Sequence, residues 1–137
     1  MGLDDARIQA FLATKEVAVL ATVQADGSPL AMAMWFLHAP ASLAMISVAD
    51  TQKVRNLRRD PRVSVVAEAV MAGGEIRGVA VQGRAEFLPD GPERHVLIDR
   101  FHEKYRGLQR LWNGKAMPAN RVMFTIVPSR VRRWGLG

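Results

Sequence analysis

The chain has 137 residues, of which 49% are apolar and 23% charged, with a formal net charge of +6 and no cysteine. That length supplies one compact core and leaves too little for a second, so residues 1–137 are read as a single domain, and the composition argues against disorder. The missing cysteines exclude disulfides, thiolate metal centres, iron–sulfur clusters and thiol nucleophiles. The positive charge favours anionic partners, and its distribution has to separate phosphorylated small molecules from nucleic acid and acidic membranes.

The amino-terminal stretch carries Asp4 and Asp5 and lacks the basic start and apolar run of a secretory signal. No apolar run is long enough to cross a bilayer, and a soluble cytoplasmic protein is the expectation. Ile8, Phe11 and Leu12 form one stripe in a helix over about 3–14, placed to cover an end of the sheet structure that follows. VAVLATV, residues 17–23, is a strand, and the Asp26-Gly27 turn returns it as a second strand over 30–37, with Pro29 suited to a sheet edge. After a turn at His38, a third strand spans 43–48. A short helix follows over 50–59, with Val54 and Leu57 on its apolar side and Pro61 ending it.

Residues 62–69 return to strand character, Gly73-Gly74 turns the chain, and 76–88 form a long strand with bends or a bulge at Gly78 and Gly83. Pro89 to Pro92 is a linker. The helix expected over 93–105 carries Leu97, Phe101 and Tyr105 at intervals of four, and a loop runs through Asn113-Gly114 to Pro118. The last strand is expected over 121–127, broken at Pro128. Short antiparallel strands with few helices predict a mainly β protein closed into a small barrel. The βαβ rhythm and glycine-rich loops of the common nucleotide-binding folds are absent.

Ser47, Thr51 and Lys53 fall at the end of the third strand and the start of the short helix, where N–H groups and side-chain donors suit a phosphate; Arg55 and Arg58 would add charge. The same residues also fit an ordinary capped helix with a solvated basic face. On the second strand, Met34 and Phe36 share one face and Trp35 takes the other, so one side feeds the core and one can meet a planar ring or a second subunit. His38, His95 and His102 lack the spacing of a metal pair, and no metal site is expected. No serine sits in a nucleophile elbow. The tryptophans are not interleaved with basic residues as a nucleic-acid stacking platform would require.

The runs VAVLATVQADGSPLAMAMWFL, ISVADTQKVRNLRRDPRVSVVAE, RGVAVQGRAEFLP and RVMFTIVPSRVRRW, in this order, resemble the pyridoxamine 5'-phosphate oxidase-like split-barrel superfamily, with its deazaflavin/flavin-dependent branch as the nearest match. The resemblance covers nearly the whole chain and is most specific in ATxxxDGSP and TxKxxNLxxDPR. It implies a homodimer of split β-barrels with a coenzyme groove at the subunit interface. Carried onto this chain, Met34, Trp35 and Phe36 would line the ring system, Ile46, Ser47 and Val48 would meet the coenzyme, and Thr51 and Lys53 would hold its phosphate, with Arg58 adding charge. Trp112, or the ending around Arg132 and Trp134, would complete the groove from the partner side. The implied coenzyme is FMN or the deazaflavin F420, with the Lys53, Arg55, Arg58 and Arg59 cluster tilting toward the longer anionic tail of F420. The implied activity is hydride transfer to or from a small organic substrate; the alternative is a non-catalytic flavin, haem or tetrapyrrole storage protein. True pyridoxamine phosphate oxidases are longer and carry a carboxy-terminal substrate-binding region for which no counterpart is expected among these residues, so the resemblance does not imply vitamin B6 as substrate.

Overall fold

The computed structural model describes residues 2–137. Its elements run α1 (Ala6–Ala13), β1 (Val17–Val23), β2 (Pro29–Trp35), β3 (Leu37–His38), β4 (Leu43–Val48), α2 (Gln52–Arg59), β5 (Arg62–Val70), β6 (Ile76–Leu88), α3 (Pro92–Lys104), α4 (Leu108–Trp112) and β7 (Arg121–Trp134). The seven strands make one antiparallel sheet in the order β2-β1-β5-β6-β7-β4-β3. The sheet curls until β2 approaches β4 with no ladder between them. That seam is the split in a barrel that otherwise closes on its own core.

Alternation decides which side chains fill the curl. Leu20, Val65, Val81 and Phe124 point inward from β1, β5, β6 and β7, joined by Met45 from β4 and by Ile8 and Leu12 from α1. Pro29 opens β2, an outer strand of the sheet, where its missing N–H interrupts no central ladder. The helix α2 lies over β1 through the wholly buried Asn56, which donates to the Thr22 hydroxyl at 3.0 Å and accepts from Gln52 Nε2 at 2.8 Å.

One expectation fails, for a local reason. The final strand does not break at Pro128 but continues to Trp134. Pro128 pairs with Gly83 at a register shift between Gln82 and Gly83, where a bulge tolerates a residue without an N–H. The Val127 carbonyl lies 2.2 Å from where a Cβ on Gly83 would stand, so the bulge requires glycine there. Between α3 and the loop expected from Asn113, residues that the sequence left unassigned take up further helix. Leu108–Trp112 form a helical turn that ends at Asn113, held in the left-handed conformation with φ 57°.

Candidate functional site

The seam between β2 and β4 leaves a groove of about 320 Å³. β2 lends Ala33, Met34 and Trp35 to one wall, and β4 lends Ile46, Ser47 and Val48 to the other. Phe101 of α3 and Leu108, Leu111 and Trp112 of α4 add an apolar side. Lys53 of α2 and Arg121 of β7 supply the charge, and no carboxylate lines the groove. Because Val48 pairs with Arg121 across the β4–β7 ladder, sheet register fixes that guanidinium beside the end of β4.

Lys53 is half-buried and, among the described residues, has neither an ion-pair nor a hydrogen-bond partner. Desolvation pulls its pKa below the ordinary lysine value, so the groove holds a cation that no carboxylate among the described residues pairs. No side chain caps α2, and its first-turn N–H groups have no intrahelical acceptor. The two hydroxyls nearby are engaged: Ser47 Oγ and Thr51 Oγ1 both donate to the Val48 carbonyl, at 3.0 and 3.1 Å. The donor set therefore fits an anion held by Lys53 and Arg121, with a flat apolar portion along Trp35 and Trp112.

Of the residues singled out from sequence, Met34, Trp35, Ile46, Ser47, Val48, Lys53 and Trp112 come together around this groove. Phe36, Thr51 and Arg58 do not line it. Phe36 is wholly buried on the core face that it shares with Met34, under the Lys104 ammonium at 3.9 Å. Thr51 occupies the N-cap position of α2, and Arg58 lies over the Phe87 ring at 4.2 Å. The basic cluster thus splits apart. Arg55 pairs with Asp50 at 2.8 Å and Arg59 donates to the Val23 carbonyl, leaving Lys53 alone to face the groove.

Sequence reasoning missed Ala33, Phe101, Leu108, Leu111 and Arg121. The spacing of Leu108, Leu111 and Trp112 was a helical signal, but nothing local announces that Arg121 would register with Val48. It also missed how the groove wall is held. Tyr105 stacks on Trp35 with ring centroids 4.4 Å apart and planes 1° from parallel. Its hydroxyl accepts the Phe36 N–H at 2.8 Å and donates to the Glu16 carbonyl at 2.7 Å. Lys104 donates to the Phe36 carbonyl at 2.7 Å, and Arg100 to the His38 carbonyl at 3.0 Å. The end of α3 therefore clasps the break between β2 and β3 and sets the orientation of Trp35. Burial lowers the Lys104 pKa to about 8 and raises that of Tyr105 to about 12.

No histidine lines the groove. His38 is bonded to Gln9 at 2.9 Å, His95 to Asp90 at 2.9 Å, and His102 to the Lys115 carbonyl at 2.8 Å. Among the described residues no helix is long and apolar enough to cross a membrane.

Comparison with known proteins adds a family to this geometry. The sequence profile of the family described as pyridoxamine 5'-phosphate oxidase matches residues 4–135. The crystal structure of a conserved hypothetical protein from Mycobacterium tuberculosis is similar at 30% identity and a TM-score of 0.82, over 99% of this chain and 86% of that one. An FAD-binding protein from Mesorhizobium loti is similar at 28% identity and a TM-score of 0.73, over 88% and 84%. A haem-binding protein from Mycobacterium smegmatis shares the fold at 23% identity and a TM-score of 0.79, over 97% of this chain and 53% of that one.

Proposed function

Since the chain belongs to the pyridoxamine 5'-phosphate oxidase family, we propose that its seam groove is the binding site of a flavin-class coenzyme, FMN or F420, and that binding such a coenzyme is its function. The observation that carries this reading is the half-buried Lys53 ammonium, joined by Arg121, in a groove that no carboxylate lines among the described residues. A phosphate there satisfies a charge that the fold leaves exposed to desolvation. Lys53 and Arg121 would hold the phosphate, and Trp35, braced by Tyr105, would offer a flat face to the ring. With the cationic cluster of α2 dispersed, nothing in the groove favours the longer tail of F420 over FMN.

A second copy of the chain would enlarge this site. Trp35 and Ala33 on β2 stand opposite Val17 and Val19 on β1, and all four side chains lie on the outer face of the sheet. Trp35, Val17 and Val19 are 43%, 42% and 38% exposed. An apolar strip of this kind on an outer strand is suited to burial against another subunit, and it adjoins the groove at Trp35.

Hydride transfer is the second reading, and the groove's composition permits it. Lys53 and Arg121 are its only titratable lining groups, so the chain's residues would bind, orient and exclude water, while the coenzyme when bound supplies the redox chemistry. Haem binding, the property named for the Mycobacterium smegmatis protein of the same fold, is disfavoured through histidine ligation, because all three imidazoles hydrogen-bond to groups outside the groove.

Titration of the full chain with FMN, riboflavin, F420 and haemin tests the reading. FMN or F420 should bind saturably at one per chain, riboflavin at least tenfold more weakly because it lacks the phosphate, and haemin most weakly. Haemin binding tighter than either phosphorylated coenzyme would overturn the assignment. Turnover of quinone or enone substrates by the loaded protein would then separate oxidoreductase from storage protein.

A further inference from the structure

Between the clasp at Tyr105 and the last strand, the chain passes through α4, and both joints of that helical turn are permissive backbone positions. Gly107 precedes it. Asn113 with φ 57° and Gly114 with φ 145° follow it, in the left-handed region that these two residue types enter at least cost. Leu108, Leu111 and Trp112, spaced by three and four, form the face of α4 that lines the seam groove. Gln109 and Arg110 line a separate open hollow of about 510 Å³ on its other side. Arg106, Asn113 and Gly114 complete that hollow, so only the segment itself stands behind α4 there.

Little ties α4 to the fold. Of its five residues, Leu108 alone is buried. Its backbone bonds stay within the turn: the Leu108 N–H donates to the Tyr105 carbonyl and the Leu111 N–H to the Gly107 carbonyl, both at 3.0 Å, and the Gly114 N–H to the Gln109 carbonyl at 2.8 Å. Among the described residues no α4 side chain makes a hydrogen bond or an ion pair, and its ring contact is Trp112 edge-on to His102 at 5.3 Å. Elements held by few buried contacts and by local bonds open at low free-energy cost. Leu111 lines the groove yet is 65% exposed, an apolar side chain left facing the space that a ligand would fill.

We propose that α4 is a flap of the groove, which swings on Gly107 and on Asn113-Gly114 and lays Leu111 over the planar ring of a bound coenzyme. This rests on the coenzyme reading of the groove. The bound ring supplies the driving force, because Leu111 leaves water only when an apolar surface stands opposite it. Lys53 and Arg121 sit on α2 and β7, outside the flap, so the anion end of the site keeps its place while the ring end opens and closes. Charge then governs entry and the flap governs release, as lids do when they close behind a ligand.

Hydrogen exchange of the full chain, with and without FMN at saturation, reads the flap, and FMN fluorescence in the same samples reports binding. In the free protein the amides of residues 109–114 should exchange far faster than those of β6 and β7. FMN should slow them about tenfold or more, including those of Gln109 and Asn113, which face away from the groove. Leu111→Ser, at an exposed position, should raise the FMN dissociation rate about fivefold or more and change the association rate by less than about twofold. Gly107→Ala adds a methyl that meets no atom within 4 Å and touches no ligand, so by stiffening the pivot it should slow association and dissociation together. FMN binding with exchange of 109–114 unchanged, or with both variants keeping the wild-type rates, would overturn the flap and leave the coenzyme reading standing. No FMN binding by the wild type would overturn both.

Discussion

Along β6 and β7 the strands stay registered from Gly78 opposite Trp134 to Leu88 opposite Met123, absorbing even a bulge at Gly83 and a proline. β2 and β4 meet at the other side of the same curl without a ladder, and the candidate groove lies in that gap. Where backbone groups pair in unbroken sequence, side chains are committed to packing. Where the sheet fails to close, the walls can hold groups the fold itself does not need, such as an unpaired ammonium. The two regions should therefore respond oppositely to mutation, one in stability and the other in binding.

The largest expected effect is on the ladder. Gly83→Val drives a side chain into the Val127 carbonyl, and chemical denaturation should show a loss of about 3 kcal/mol or more, or no folded protein. Tyr105→Phe probes the join between the regions. It keeps the stack on Trp35 but deprives the Phe36 N–H of its acceptor. The expected cost is about 1–3 kcal/mol of stability, with a smaller effect on coenzyme affinity than Tyr105→Leu, which removes the stack as well. Lys53→Gln should lower FMN affinity at least tenfold while changing stability by no more than about 0.5 kcal/mol, since no partner on the chain is lost.

The smallest effect sharpens the clasp through pH. Lys104 titrates at about 8 in the fold against 10.5 ordinarily, so between those values the unfolded chain binds more protons and stability rises with pH. Tyr105 titrates at about 12 against 10.0, so above pH 10 the unfolded chain releases a proton that the fold retains, and stability falls. Denaturation midpoints should climb from pH 8 toward 10 and then decline. Lys104→Met should shrink the climb to what the lowered Lys53 pKa contributes and leave the decline.

Much of the ladder was legible because local signals agree there. The Asp26-Gly27 turn, the β-branched apolar run of 17–23 and the glycines of 76–88 point to the observed elements, including the bulge at Gly83. The continuation through Pro128 was not legible, since proline reads as a break until its position opposite a bulge is known. The groove was half legible. Met34, Trp35 and Lys53 stand in strand and helix contexts that suggest a wall and a cation. Arg121 reaches the site only through long-range register, and Phe36 follows the alternation that puts it in the core with Met34. The arginines following Lys53 look like one patch in sequence. Helical geometry sends Arg55, Arg58 and Arg59 to three different partners.

The central claim, that the unladdered seam holds a phosphorylated planar coenzyme, is tested most directly by a crystal structure grown with FMN. The account predicts the phosphate within hydrogen-bonding distance of Lys53 Nζ and the ring against Trp35 in the groove between β2 and β4. A coenzyme ordered elsewhere on the protein, or a groove left empty at saturating FMN, would contradict it.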